Sequence, residues 1–572
     1  MMYSKRILLL LLLFSFHFAS QAQTDYIPIG DPQEAFLNRL DIKFRNNPQL
    51  RFTTLKPYDR KRVTEQLWII DSLDKAGEIP DVLTDIDRKD LHYYLDVNKQ
   101  WTPSHQGSNT GEKLFEQSPL PTHLYESYSE KGSFVLDPML TAQFGKNESI
   151  KTYQGSIGLT MHGDIADKVG FYGSYTYNSE RDPLYLQDYI AARKAVPGIA
   201  AFSTGSNGKI NYSDFRLGVT THAGKHLDFQ LAYDQLNIGE GVRSLYLSNF
   251  GSPYLFFKAH AQIGHVSYTT GFARTFAPYE IIDNGLKDQG RPSNYMVFHY
   301  FSWQASKWLK FGFYENNMFN NEKNGGIQLG MLNPFIFNRA MSQNVGNSGK
   351  SSIGLDFKAN VAKRVEVYGT LLINEFVAKE FFNYGGGDWR NKHALQLGAK
   401  YVDAFTIKNL DLQAEYNWVR PYTYTDKWAV NNFVHYNQPL AHPLGANFHE
   451  LIGTLNYRPI PKLYITGKII GYKKGLDTLS EFAISKATLN GGDLFRPYTD
   501  TRAQDDNVKV GDGIPLNALY GSLNVAYQLF HNLFVDGNFT IRNADIDGLP
   551  KNHTKFFSFG IRWNMNRRAF DF

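Results

Sequence analysis

From residue 133 onward the chain repeats one pattern: about ten residues in which apolar and polar side chains alternate, followed by a break. In Leu410–Val419, Leu410, Leu412, Ala414, Tyr416 and Trp418 alternate with Asp411, Gln413, Glu415 and Asn417. Near the end, Phe557, Phe559, Ile561, Trp563 and Met565 alternate with Ser558, Gly560, Arg562 and Asn564. Residues 227–234 and 533–542 read the same way. A period of two places successive side chains on opposite faces of a strand. Ten residues is the length with which a tilted strand crosses a bilayer. In hydrocarbon every backbone polar group needs a partner, so membrane-crossing strands must close into a barrel.

The breaks carry as much information as the strands. Tight links fall at 164–168, 221–225, 305–307, 362–363, 459–461 and 529–532. Long links fall at 179–208, 236–255, 319–350, 375–391, 420–448 and 473–515. The two kinds alternate, as short periplasmic turns and long outer loops do in outer-membrane barrels. A soluble sandwich or propeller has no reason to keep that order. The pattern predicts an all-β, antiparallel transmembrane barrel of about eighteen strands over 133–572, with the pair around Gly264 the least regular. An even number puts both ends of the barrel on the periplasmic side. Aromatic residues are 15% of the chain, with 35 Tyr and 42 Phe, while hydrophobic residues total only 42%. Strands half in lipid and half in water give that balance.

The N-terminus reads as an export signal over 1–22. Lys5 and Arg6 precede an apolar run over 7–14, and Ser20-Gln21-Ala22 places small residues before an expected cleavage at Gln23. Residues 23–105 then have helical grammar and are expected to form a small periplasmic domain. Asp31-Pro32-Gln33-Glu34 offers an N-cap and a first-turn proline. Phe36, Leu37 and Leu40 form one stripe, Val63, Leu67 and Ile70 a second, and Leu91, Tyr94 and Leu95 a third. Residues 106–132 read as a linker. The closing Phe570-Asp571-Phe572 places aromatics past the last good alternation. The chain holds no Cys, which excludes disulfides, thiolate metal sites, a cysteine nucleophile and a lipoprotein anchor. A net charge of +5 gives no reason to invoke nucleic acid.

No enzymatic constellation stands out. There is no G-x-S-x-G elbow and no H-E-x-x-H helix. Gly385-Gly386-Gly387-Asp388 lacks the Lys-Ser/Thr that a phosphate loop needs. His435, His442 and His449 read as exposed loop side chains, and Asp411 and Glu415 as lumen lining. The expectation is a non-enzyme without cofactor or metal. The long loops are more suggestive. Tyr384, Asp388, Trp389 and Arg390 cluster in one, and Arg420, Tyr422, Tyr424 and Trp428 in another. Sugars stack on aromatic rings while polar groups take their hydroxyls. Trp389, Arg390, Arg420, Tyr422 and Tyr424 are therefore the candidate glycan-binding residues; the other reading of such aromatics is the interfacial girdle of a barrel.

At Asn237-Ile238-Gly239-Glu240-Gly241-Val242-Arg243-Ser244-Leu245-Tyr246-Leu247-Ser248-Asn249 the sequence resembles the G-x-G-x-R-S-L-x-L-S-[ND] segment of the capsule-assembly Wzi family. It is similar especially to the Bacteroidetes branch, which includes gliding-motility proteins of the RemB type. Gly312-Phe313-Tyr314-Glu315, Leu332-Asn333-Pro334-Phe335-Ile336-Phe337, Ile353-Gly354-Leu355-Asp356, Ile373-Asn374-Glu375-Phe376, Arg420-Pro421-Tyr422-Thr423-Tyr424 and His442-Pro443-Leu444-Gly445 fit in order. Asn374 departs from an expected acidic residue. These stretches single out Gly239, Arg243, Ser244, Asn249, Glu315, Asn333, Asp356 and Glu375 as lumen or family-motif positions. The resemblance implies an eighteen-stranded outer-membrane barrel with a periplasmic helical bundle. In the Wzi type, outer loops hold capsular polysaccharide without catalysis. The RemB type implies a surface protein acting through motility or secretion partners. A solute pore is a third reading, against which an arginine folded into the lumen, such as Arg243, would count.

Overall fold

The computed structural model describes residues 25–45, 53–102, 110–114, 122–129, 131–148, 150–166, 168–277, 292–320, 332–340, 349–375, 377, 387–477, 488–568 and 570–572. The expected signal segment lies outside them, as does Tyr384.

Eighteen antiparallel strands close into one barrel. They are β1 (Gly132–Asn147), β2 (Ile150–Ile165), β3 (Val169–Arg181), β4 (Lys209–Ala223), β5 (Leu227–Asp234), β6 (Tyr254–Ile263), β7 (Val266–Phe276), β8 (Ser293–Gln304), β9 (Leu309–Phe319), β10 (Lys350–Ala362), β11 (Val365–Glu375), β12 (Lys392–Tyr401), β13 (Leu410–Val419), β14 (Phe448–Tyr457), β15 (Leu463–Leu476), β16 (Ile514–Phe530), β17 (Leu533–Ile546) and β18 (Asn552–Trp563). Each strand pairs with its sequence neighbour, and β18 closes on β1 from Trp563↔Leu140 to Phe556↔Asn147. The lower half of β1 pairs instead with Tyr125–Ser129, which pairs in turn with Thr110–Leu114. The segment expected as a linker thus adds a hairpin to the barrel wall.

The alternation read from sequence is the division between lipid and lumen. Phe557, Phe559 and Ile561 on β18 are exposed, while Ser558 between them is buried. On β17, Phe539 faces outward and Asp536 and Thr540 inward. An arginine on the lipid face near mid-membrane costs about 2–4 kcal/mol, because hydrocarbon solvates the charge poorly. Phe539→Arg is expected to lower the stability of the liposome-refolded barrel by that amount. Asn538→Arg, one residue away but lumen-facing, should change it far less. Equal urea midpoints for the two variants would mean the register is wrong.

At the end carrying the short turns, the periplasmic end in such barrels, three helices cap the lumen. These are α1 (Pro32–Lys43), α2 (Arg60–Lys75) and α3 (Asp85–Val97). Asp31 caps α1 by accepting from the Gln33 N–H, and Thr84 and Asp87 form a reciprocal capping box on α3. The predicted stripes meet in one apolar cluster that includes Phe36, Leu37, Leu40, Val63, Leu67, Ile70, Leu91 and Tyr94.

Ion pairs dock this domain. Arg39 bridges Asp87 at 2.6 Å to Asp403 and Asp411 of the barrel, each at 2.5 Å. Lys43 joins Asp87 at 2.6 Å and Asp403 at 2.8 Å. Burial pushes the Asp87 carboxyl up, but Arg39 and Lys43 outweigh it and hold it at about 2, against an ordinary 3.8. A depressed carboxylate stabilises the fold fully above its unfolded pKa, and the contribution is lost as pH falls from about 4 through about 2. The shift corresponds to about 2 kcal/mol. The domain should therefore become protease-sensitive over that window, and Asp87→Asn should flatten the dependence. An unchanged pH profile in the variant would remove Asp87 from this role.

Candidate functional site

Two segments of the protein's own chain enter the lumen. After β5 the segment 237–250 turns inward and reaches the helical cap. Asn237 and Ile238 pair antiparallel with Lys56 and Leu55, and the Gly239 N–H donates to the Thr54 carbonyl at 2.9 Å. Glu240 accepts from the Thr54 hydroxyl at 2.5 Å and meets Lys310 at 3.1 Å, Lys358 at 3.3 Å and Lys400 at 3.6 Å. Lys358 also pairs with Asp41 of α1, and Lys400 with Glu366 at 2.8 Å. Three cations and three carboxylates thus join plug, barrel and cap. Burial opposes ionisation of Glu240, but Lys358, Lys310 and Lys400 hold its carboxyl well below the usual range.

The next residues explain the motif. The Val242 and Arg243 N–H groups donate to Glu415 at 2.7 and 3.1 Å. A Cβ on Gly241 would stand 2.3 Å from that carboxylate, so only glycine permits the approach. Arg243 forks to Asp571 at 2.8 Å and Glu450 at 3.3 Å, and Glu450 also meets His442 at 2.8 Å. The Ser244 hydroxyl donates to the Ile238 carbonyl at 2.5 Å, closing the turn. Tyr246 stacks on Tyr314 of β9, centroids 4.4 Å apart. Asn249 remains exposed. Asp356 faces the lumen and accepts from the Tyr300 hydroxyl at 3.1 Å.

The chain after β18 turns back up the lumen. Arg568 pairs with Glu180 at 2.8 Å, Asp571 with Lys468 at 2.5 Å, and Phe572 packs on Tyr189 and Phe250. The closing aromatics therefore belong to the plug. His435 and His442, read from sequence as exposed, are buried, because the 420–447 loop folds inward over the lumen. Among the described residues no three His, Asp or Glu side chains gather as metal ligands.

The outer loops place the candidate glycan residues in two layers. Tyr422 and Tyr424 are buried. The Tyr422 hydroxyl donates to the Leu489 carbonyl at 2.8 Å, and the Tyr424 hydroxyl to Leu245 of the plug at 2.9 Å. Asn374, at the position that departs from the family pattern, accepts the Tyr424 N–H at 2.8 Å. Arg420 donates to the carbonyls of Asn391, Val508 and Asp388 at 2.7, 3.1 and 3.3 Å, tying three strands of loop together. Above them Trp389 is half-buried against Tyr498 at 5.0 Å, with Arg502 over its ring at 4.1 Å and Lys392 at 4.8 Å. Lys392 pairs with Glu375 at 2.8 Å, which Lys350 also meets at 3.3 Å. Arg390 is exposed and paired with Asp388, and Trp428 in the 420–447 loop is 62% exposed. The 427–428 corner reaches the same surface, since the Thr499 hydroxyl donates to the Lys427 carbonyl and the Tyr498 N–H to Asp426. Lys392, Tyr498 and Arg502 were not singled out in the sequence. They come from a strand end and a loop about a hundred residues apart, and no spacing announces their meeting.

Glu315 and Asn333 lie elsewhere. Glu315 sits on the outward register of β9, and Asn333 closes its own turn by accepting from the Phe335 N–H at 3.1 Å.

Closed strands with an apolar exterior, short turns at one end and long loops at the other define an outer-membrane β-barrel, here with the segment 237–250 and the returning tail folded into its lumen. No family model and no curated protein matches the chain. In fold it is similar to Wzi, an outer membrane protein involved in group 1 capsule assembly in Escherichia coli and described as a carbohydrate-binding β-barrel. The two share 12% identity and a TM-score of 0.56 over 95% of this chain and 100% of that one. OprD of Pseudomonas aeruginosa aligns with 11% identity and a TM-score of 0.41 over 80% of this chain and 96% of that one.

Proposed function

We propose that the barrel holds a surface polysaccharide at its outer mouth, without catalysis, in a role of capsule-assembly type. The observation that carries this reading is the loop surface itself. The loops around 388–391, 420–428 and 489–508 are hydrogen-bonded to one another and, through Tyr424, to the plug, and they leave Arg390 and Trp428 exposed. A lumen crossed by ion-paired segments of the chain suits a holder better than a conduit. The likeness in fold to a barrel described as carbohydrate-binding supports the same reading.

The five candidate residues divide by position. Arg390, with Trp428 and the rim of Trp389, forms the contact surface. Arg420, Tyr422 and Tyr424 position it from below. An arginine fork suits a uronate or other acidic substituent. A repeating polymer could engage many barrels at once and gain avidity from weak single contacts.

The test is the double variant Trp428→Ala with Arg390→Ala. It should assemble normally, as judged by heat-modifiable migration in gels, yet release polysaccharide from whole cells. Purified protein should likewise lose retention on immobilised polygalacturonate. Unchanged surface glycan together with lost colony spreading would replace this reading with a motility or secretion role exerted through protein partners. Unchanged glycan and unchanged spreading would remove these loops from either role.

A further inference from the structure

One stretch of the outer wall breaks the lipid-facing pattern. Tyr314 of β9 points into the lumen and stacks on Tyr246, so Glu315 points outward. Its cross-strand partners share that face: His299 on β8 and Ile353 on β10, the latter exposed in the apolar band. Yet Glu315 is only 2% exposed and His299 is 0% exposed. Outward-register Val297 and Phe319 are also buried, clustered with Phe272 and Tyr295.

Over Glu315 and His299 the cover is residues 332–340, which cross the outside of the barrel as a strap. The Phe337 N–H donates to Glu315 Oε2 at 2.7 Å and the Arg339 N–H to Oε1 at 3.2 Å. The Asn338 amide meets His299 Nε2 at 2.8 Å. The Tyr268 hydroxyl, also on the outer face, lies 2.9 Å from His299 Nδ1 and 2.8 Å from the Pro334 carbonyl. Phe337 holds a φ of +89°, a backbone that a bulky residue adopts only under constraint. Phe335 and Phe337 are themselves 71% and 73% exposed.

We propose that this strap is embedded in the outer leaflet, clamped to the barrel wall by Glu315, and that Phe335 and Phe337 bind among the lipid acyl chains. Depth is the first argument. Glu315 lies four residues below the outer end of an eleven-residue strand, beside an apolar-band isoleucine. The backbone is the second. Non-helical chain at hydrocarbon depth persists only where its N–H groups find protein partners, and the carboxylate takes two of them. An ionisable group on a lipid face is costly unless it is satisfied in this way. Continuity is the third. The two phenylalanines restore the apolar exterior that Glu315 and His299 interrupt.

The chain has no native cysteine, so single-site labels report without background. Nitroxides would be placed by Phe335→Cys and Phe337→Cys, with Leu355→Cys as a lipid reference and Ser206→Cys as a water reference. The full-length barrel would be reconstituted in phosphatidylcholine–phosphatidylglycerol vesicles. Collision with oxygen reports lipid, and collision with a nickel chelate reports water. Both strap sites should match Leu355. A match to Ser206 would overturn the proposal, and shielding from both reagents would assign the face to a second protein molecule instead. Glu315→Leu in the Phe337→Cys background should shift the label toward the Ser206 value, while Glu315→Gln, which keeps an acceptor oxygen, should shift it less. An unmoved label in a correctly assembled Glu315→Leu barrel would overturn the clamp.

Discussion

Glu240→Gln is expected to destabilise the folded barrel by about 3–5 kcal/mol, the usual cost of leaving a buried charge without its partner. Glu240 sits among Lys310, Lys358 and Lys400, with Asp41 and Glu366 as the other two carboxylates. Removing one anion leaves three cations against two. Lys310 loses the most, because Lys358 keeps Asp41 and Lys400 keeps Glu366. The double variant Glu240→Gln with Lys310→Met should therefore recover most of the loss, since it restores two pairs against two. A double-mutant cycle in urea, with barrel and cap followed separately, measures that coupling. The cap should loosen first in the single variant, because Glu240 also accepts from Thr54 beside α2. Additive losses in the cycle would mean that Lys310 and Glu240 do not act as a pair.

The barrel was legible in the sequence because each strand carries its own instruction. Phe557, Phe559 and Ile561 announce a lipid face within a few residues, and the expected count of about eighteen strands matches the closed barrel. The helical cap was legible for the same reason, through Asp31, Pro32 and the stripes at Phe36, Val63 and Leu91. The interior was not. Arg243 meets Asp571 and Trp389 meets Arg502, contacts between segments far apart in the chain that only the folded barrel brings together. His435 and His442 looked like loop side chains because nothing local says that a loop folds inward. The strap left a trace that alternation alone could expose. In β9 the outward positions read Phe311, Phe313, Glu315, Asn317, Phe319, and two polar residues on a lipid face require a cover.

Arg243→Ala should have the second large effect, and its readout is electrical. The guanidinium holds three pieces together: the segment 237–250 that carries it, Glu450 on β14, and Asp571 in the returning tail. Burial pushes the Asp571 carboxyl up, but Arg243 and Lys468 hold it well below the usual carboxylate range. Among the described residues, Glu450 without Arg243 keeps hydrogen bonds to His442 and Asn417 but no arginine or lysine partner, and Asp571 keeps Lys468. The cost is again about 3–5 kcal/mol, and here it falls on the contacts that keep the plug seated. In planar bilayers the parent barrel should show little steady conductance, while Arg243→Ala should show frequent large openings as the plug leaves the lumen. Arg243→Lys keeps the charge but replaces the planar fork, whose two ends reach Glu450 and Asp571, by a single compact ammonium, so its opening frequency should fall between the two. If Arg243→Ala stays closed and its urea midpoint is unchanged, the plug is held by Glu240 and the tyrosine stack of Tyr246 on Tyr314. If the parent itself conducts steadily, the lumen is a pore, and a holding role at the outer mouth loses its main structural support.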